Sequence, residues 1–292
     1  MSRKRTPGPD AVPAFSAFDG TNLAYHVLGD GEPLVCLPGG PMQDADYLGD
    51  LGGLAERFRL ILLDPRGTGE SAVPSSLPSY RCDRQVDDVE ALREHLGLER
   101  LNLLAHSAGA NLAVLYAAGY PERVAKLVLV TPSTHALGIM VTPGDRRAAV
   151  QTRAGESWYG PASEAFDRVN AGGATNSDWD ALAPFTYARW DATTQAHHAR
   201  GETRRNDRAA ILFGAKGAFN PEATREMLAA CDAPVLVLAG EYDVNSPPRV
   251  VAELADAFPN STLDLMSGVA HCPWLDDPAG FGRTVTGFLA SR

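Results

Sequence analysis

Short, almost wholly apolar runs recur along the chain and alternate with segments of helical periodicity. Leu34–Leu37 and Leu60–Leu63 carry no polar side chain, the pattern of strands covered on both faces. Leu23–Leu28, Leu101–Ala105, Lys126–Val130, Pro234–Ala239 and Thr262–Met266 read as further strands. Between them, Asp83–Leu96 places Val86, Val89, Leu92 and Leu96 at helical spacing and stops at Gly97. Ala108–Tyr120, Arg249–Phe258 and Pro278–Leu289 are the other predicted helices, the last opened by Asp277 as N-cap and a first-turn proline. This alternation calls for an α/β fold with a mostly parallel central sheet and helices on both faces.

The alternation stops between about Pro132 and Ala223. That stretch has no buried-strand run and holds Trp158, Trp179 and Trp190, three of the four tryptophans. Residues 133–222 therefore read as a helical cap inserted between two parts, 13–132 and 223–292, of one core domain, with 1–12 a loose N-terminal tail. The whole chain carries a formal charge of −10, but the cap is close to neutral, so the excess negative charge lies on the sheet domain. An acidic surface argues against nucleic acid and against anionic membranes, which need a basic footprint. No apolar run approaches the ~18 residues of a spanning helix. Pro7, Gly8, Pro9 and Asp10 stand where a secretory signal would need an apolar stretch. Cys36, Cys82, Cys231 and Cys272 lack any short metal-ligand spacing, and Cys36 reads as a small buried hydrophobe. A cytoplasmic protein with no metal, no cofactor and a small-molecule substrate is expected.

The strand Leu101–Ala105 runs directly into His106-Ser107-Ala108-Gly109 and then a helix. A serine at such a strand-to-helix turn is a nucleophile elbow, with its oxygen exposed at the sheet edge near a helix N-terminus. The serine needs a base and a group that orients the base, in chain order Ser, acid, His. The strand ending at Ala239 is followed by Gly240-Glu241-Tyr242-Asp243; Asp243 is preferred as the acid, with Glu241 as local competitor. The last strand is followed by Ser267-Gly268-Val269-Ala270-His271, which makes His271 the base. Cys272 beside it should face away. His106 reads as a packed elbow residue, and the adjacent His197 and His198 as a solvated pair.

Negative charge developing on a carbonyl oxygen calls for two preorganised N–H donors. Ala108, after the nucleophile, supplies one. The glycine-bearing loop Pro38-Gly39-Gly40-Pro41 supplies the other, and Gly40 is the choice, with Gly39 beside it against the substrate. Asp64–Ser71 reads as a structural tie between loops. His135, Trp158, Tyr187 and Trp190 are expected around the substrate, in a mainly apolar pocket that would favour esters or lactones with apolar acyl groups.

Gly39-Gly40-Pro41, Asp64-Pro65-Arg66-Gly67-Thr68-Gly69, His106-Ser107-Ala108-Gly109, Asp243 and His271-Cys272-Pro273-Trp274 together resemble the α/β-hydrolase superfamily, over nearly the whole chain outside the cap. The Gly-Gly-Pro loop is most similar to that of the proline iminopeptidase group, although Pro38 stands where that group usually has His. This resemblance implies an α/β-hydrolase fold and serine-hydrolase chemistry. It also implies an aminopeptidase activity as the alternative, in which Glu202 would hold a substrate amine. A small-ligand receptor of the same fold is the reading from another functional class.

Overall fold

A computed structural model of the protein describes residues 12–291; the expected tail, apart from Val12, lies outside the described residues. The strands are β1 (Ala14–Ser16), β2 (Asn22–Leu28), β3 (Glu32–Leu37), β4 (Phe58–Leu63), β5 (Leu101–His106), β6 (Val124–Val130), β7 (Val235–Gly240) and β8 (Ser261–Met266). They form one eight-stranded sheet in the order β1-β2-β4-β3-β5-β6-β7-β8. β1 pairs antiparallel with β2, and β2 with β4; every other pairing is parallel. The three-residue β1 is too short for its periodicity to be read in the sequence.

The apolar runs are strands because both of their faces are covered. Val35, Leu37, Leu103, Leu127 and Val237 point to one side, where they meet Val89 and Leu92 of α1 (Cys82–His95), Val114 and Tyr116 of α2 (Gly109–Gly119), and more C-terminal helices. Leu34, Cys36, Leu62, Leu104 and Leu238 point to the other side, against Trp274, Phe281 and Val285. The period-2 alternation of side chains thus divides each run between two cores.

Between β6 and β7 the chain forms α3 (Pro143–Gln151), α4 (Tyr159–Asn170), α5 (Asn176–Leu182), α6 (Ala192–Glu202), α7 (Asp207–Phe213) and α8 (Pro221–Leu228). Among the described residues, their strand-like link to the sheet portion is one bridge between Gln43 and Arg205. After β7 come α9 (Pro248–Ala255), α10 (Pro273–Asp276) and α11 (Pro278–Ala290). Among the described residues no helix is long and apolar enough to cross a membrane, and no group of three His, Cys, Asp or Glu side chains is placed to hold a metal.

The segment Asp64–Ser71 ties the sheet to its surroundings. Asp64 accepts hydrogen bonds from the Ala45 and Glu70 N–H groups and pairs with His26. Arg66 is fully buried and engages both Asp88 of α1 and Asp19 of the β1–β2 turn. This arrangement holds the edge hairpin against the first helix. Asp64 and Arg66 of this segment are both committed to partners outside it.

The strand order decides where a ligand can lie. From β3 the chain moves to β4 on one side, and β5 then returns to the other side of β3. Loops leaving the carboxyl ends of β3 and β5 therefore diverge and leave a crevice between them, the switch point of an open α/β sheet.

Candidate active site

Ser107 stands at that crevice, between the end of β5 and the start of α2. Its φ is 51°, a left-handed conformation that costs a residue with a Cβ roughly 1–3 kcal/mol. The neighbouring strand holds it there: Ser107 N–H donates to Val130 O (3.0 Å), and Ser107 O accepts from Ser133 N–H (2.9 Å). The turn is also pressed against the loop after β3. A Cβ on Gly109 would lie 2.4 Å from Pro38 O, and one on Gly39 would lie 2.8 Å from the Ser107 Cβ. Glycine is required at both positions by close approach. Ala105 is fully buried with its methyl accommodated.

The other two predicted residues converge on this serine. His271 Nε2 lies 2.9 Å from Ser107 Oγ, and His271 Nδ1 lies 2.8 Å from Asp243 Oδ2. Asp243 is fully buried. Its second oxygen accepts the Asn245 and Ser246 N–H groups at 2.8 and 3.0 Å, so the carboxylate cannot rotate away. Glu241, the competitor, turns outward and accepts Gly268 N–H. Cys272 is buried, and desolvation raises its thiol well above the usual range, which leaves it protonated and inert.

The two expected N–H donors differ from their neighbour. Gly39 N–H is taken by Tyr47 Oη at 2.7 Å. Gly40 and Ala108 N–H donate to no other group among the described residues, and both residues face the cavity above Ser107.

Tyr47 and His106 form a network whose full extent the sequence did not reveal. Tyr47 Oη lies 2.6 Å from His106 Nδ1, and His106 Nε2 lies 2.9 Å from His271 O. The His271 carbonyl can only accept, so His106 Nε2 carries the proton and Nδ1 accepts from the Tyr47 hydroxyl. Burial, then the nearby His271, pushes the His106 pKa well below the usual range, and burial raises Tyr47. Both side chains are therefore neutral at pH 7. Thr131 Oγ1 also donates to His271 O, and His271 N–H donates to Thr186 O, at 2.9 and 3.0 Å. His271 is thus held through its backbone from three directions, and the loop carrying Gly39 and Gly40 is joined to it through two aromatic rings. Tyr47→Phe strands two buried polar groups, the Gly39 N–H and His106 Nδ1. It should lower unfolding free energy by about 2–4 kcal/mol in a urea titration; a change below about 0.5 kcal/mol would show that the network carries no strain-bearing role.

The cavity above Ser107 has a volume of about 390 Å³. His135 and Tyr187 line it. Trp158 and Trp190 do not. Trp158 packs edge-on against Phe185 at 5.0 Å in a cluster with Val150 and Phe166, so its area is spent on joining helices to one another. Trp190 lies behind Tyr187, ring centroids 5.8 Å apart. Gly39 also sits behind the surface, under the serine. The Glu202 side chain lies outside the described residues.

The expected apolar lining is corrected too: Gln43, Ser133, Arg146, His198, Arg205 and Asn245 face the space. Nor are His197 and His198 a solvated pair. His197 bridges Tyr187 Oη (2.8 Å) and Tyr47 O (2.9 Å), and His198 lines the cavity. Gln43 and Tyr47 come from one loop, Arg146 from α3 and the histidines from α6. Their meeting depends on how the helices between β6 and β7 pack over the sheet, and nothing local in the sequence signals it.

Among known proteins, a proline iminopeptidase of Clostridioides difficile (strain 630) is 25% identical over 290 residues, covering 94% of this chain and 97% of that protein. An esterase, RhEst1 of Rhodococcus sp. ECU1013, superposes with a TM-score of 0.70 at 27% identity, over 96% of this chain and 98% of that one. A proline iminopeptidase of Mycobacterium smegmatis shares the fold with a TM-score of 0.73 at 23% identity, over 95% and 97% of the two chains. Residues 32–278 match the family described as alpha/beta hydrolase fold, a span running from β3 into α11 and including Ser107, Asp243 and His271. The chain belongs to the α/β-hydrolase fold family.

Proposed function

We propose that the protein is a serine hydrolase that cleaves an ester, lactone or amide bond of a small substrate through an acyl-enzyme. The hydrogen-bonded series Asp243–His271–Ser107, at 2.8 and 2.9 Å, is the observation that carries this reading. Ser107 Oγ attacks the substrate carbonyl carbon as His271 Nε2 takes its proton. Asp243 keeps the Nδ1 proton in place and stabilises the imidazolium. The carbonyl oxygen becomes negative and is met by the N–H groups of Gly40 and Ala108, two cavity-lining residues whose N–H groups have no other acceptor among the described residues. His271 then gives its proton to the leaving alcohol or amine as the bond to it breaks. Water, deprotonated by the same nitrogen, attacks the acyl carbon, and the proton returns to Ser107 as the acid departs.

A fluorophosphonate probe is expected to label one residue, Ser107, in time with loss of p-nitrophenyl ester hydrolysis. Labelling of another residue, or hydrolysis that survives complete labelling, overturns the reading.

The similarity to proline iminopeptidases over most of the chain favours a second reading, release of an N-terminal residue. The charge inventory supports it less well. Among the described lining residues the only carboxylate is Asp207, and Arg205 already holds it at 2.8 Å. An ammonium placed there loses hydration without gaining a partner, a cost of several kcal/mol. N-acetylation of an aminoacyl nitroanilide is therefore expected to leave kcat/KM unchanged or to raise it. A loss beyond about tenfold, or 1.4 kcal/mol, would transfer the preference to the aminopeptidase.

A further inference from the structure

Two positive groups line the cavity, and they differ. Arg205 is neutralised by Asp207. Arg146, on α3, has no carboxylate within ion-pair distance among the described residues. Its neighbours in sequence do: Asp145 is held by Arg249, and Arg147 is paired with Asp167. Arg146 is an exposed residue lining the cavity, and none of its five N–H donors has a hydrogen-bond partner among the described residues.

A second donor stands beside it. Asn111 Oδ1 accepts Ala136 N–H at 2.8 Å, which fixes the amide so that Nδ2 donates to Ser133 Oγ at 3.0 Å. Ser133 Oγ lies 2.8 Å from His135 Nδ1, which engages that nitrogen. His135 Nε2 has no hydrogen-bond partner among the described residues, and in the tautomer in which the Ser133 hydroxyl donates to Nδ1 it presents an unengaged N–H. His135 is exposed at the rim but crowded on one face by Phe219, 6.3 Å between ring centroids. That crowding, followed by the charge of Arg146, lowers its pKa and keeps the ring neutral. Among the described residues the rim thus offers one full positive charge and, in that tautomer, a neutral N–H, with no unpaired carboxylate to oppose an anion.

We infer that the cavity takes substrates bearing a carboxylate remote from the scissile bond, with Arg146 as the counter-charge and His135 Nε2–H as a second donor. The planar fork of an arginine matches the two oxygens of a carboxylate, and one guanidinium balances one negative charge. The inference rests on the hydrolase reading and names its substrate class.

Mono-p-nitrophenyl glutarate and p-nitrophenyl pentanoate have acyl chains of equal carbon number and differ in the terminal carboxylate. The ratio of their kcat/KM values is the readout. The unsubstituted protein is expected to favour the glutarate by about tenfold or more, expressed in KM, and Arg146→Met to reduce that ratio by about tenfold, the size of one charge-assisted hydrogen bond. Arg146→Lys should restore part of it. A ratio of one or less, or a ratio that Arg146→Met leaves in place, overturns the inference while Ser107-dependent hydrolysis of either ester leaves the hydrolase reading standing. If neither ester is cleaved, the hydrolase reading fails, and glutarate binding to the Ser107→Ala protein decides the anion site by calorimetry. Binding weakened about tenfold by adding Arg146→Met supports the site, and no measurable binding refutes it.

Discussion

Replacing Ser107 by alanine is expected to lower kcat toward p-nitrophenyl esters by about 10⁴–10⁶-fold and to leave the fold intact. The two halves of this expectation have separate grounds. Catalysis collapses because no other nucleophile is in reach of His271: the Cys272 thiol is buried and held protonated, and the other hydroxyl bonded to the His271 main chain, Thr131 Oγ1, donates to its carbonyl. The residual rate is what the Gly40 and Ala108 N–H groups and substrate binding supply by themselves. The fold survives because alanine keeps the Cβ and inherits, without increasing it, the strain of a φ of 51°. Only the side-chain hydrogen bond to His271 is lost, a change of about 1 kcal/mol. Circular dichroism and urea unfolding check the second half. Retention of more than about one part in a hundred of the activity would show that Ser107 is not the nucleophile.

Asp243→Asn should reduce kcat by about 10⁴-fold, and the geometry states why in terms of one proton. Oδ1 of Asp243 accepts two main-chain N–H groups, from Asn245 and Ser246. An asparagine there satisfies both with its amide oxygen and so turns its NH₂ toward His271 Nδ1. That nitrogen must then accept, and the imidazole proton moves to Nε2, the atom that should receive the serine proton. The ring keeps its place but loses its function. The expected signature is a loss of kcat recoverable at high pH, where Ser107 is assisted by hydroxide instead. Glu241→Gln is the control: its contact is with Gly268 N–H, which an amide oxygen accepts equally well, so activity should stay within about twofold. The reverse ranking would make Glu241 the acid.

The sequence revealed those features whose cause is local. Leu34–Leu37 and Leu60–Leu63 could be recognised as strands because nothing but burial on both faces explains a wholly apolar run. The elbow was legible because strand, serine and helix are contiguous. Asp243 and His271 could be placed because each follows a strand at the end where the sheet exposes its loops. Tyr47 escaped because its phenol serves a glycine eight residues away and a histidine fifty-nine residues away, and no periodicity encodes such a contact. Trp158 and Trp190 misled for a related reason. A tryptophan supplies apolar area but does not say to which surface, and here neighbouring helices and rings consume it. The polarity of the cavity follows from which faces of α3 and α6 look inward, and that is decided by packing over the sheet.

The His271 N–H bond to Thr186 O joins His271 to the helical segment between β6 and β7. One of the three main-chain contacts that seat this histidine thus comes from the insert, while the other two, from His106 and Thr131, come from the sheet. The insert and the sheet share the task of placing the ring beside Ser107, so a substitution that repacks the insert near Thr186 reaches the histidine through its backbone without touching its side chain.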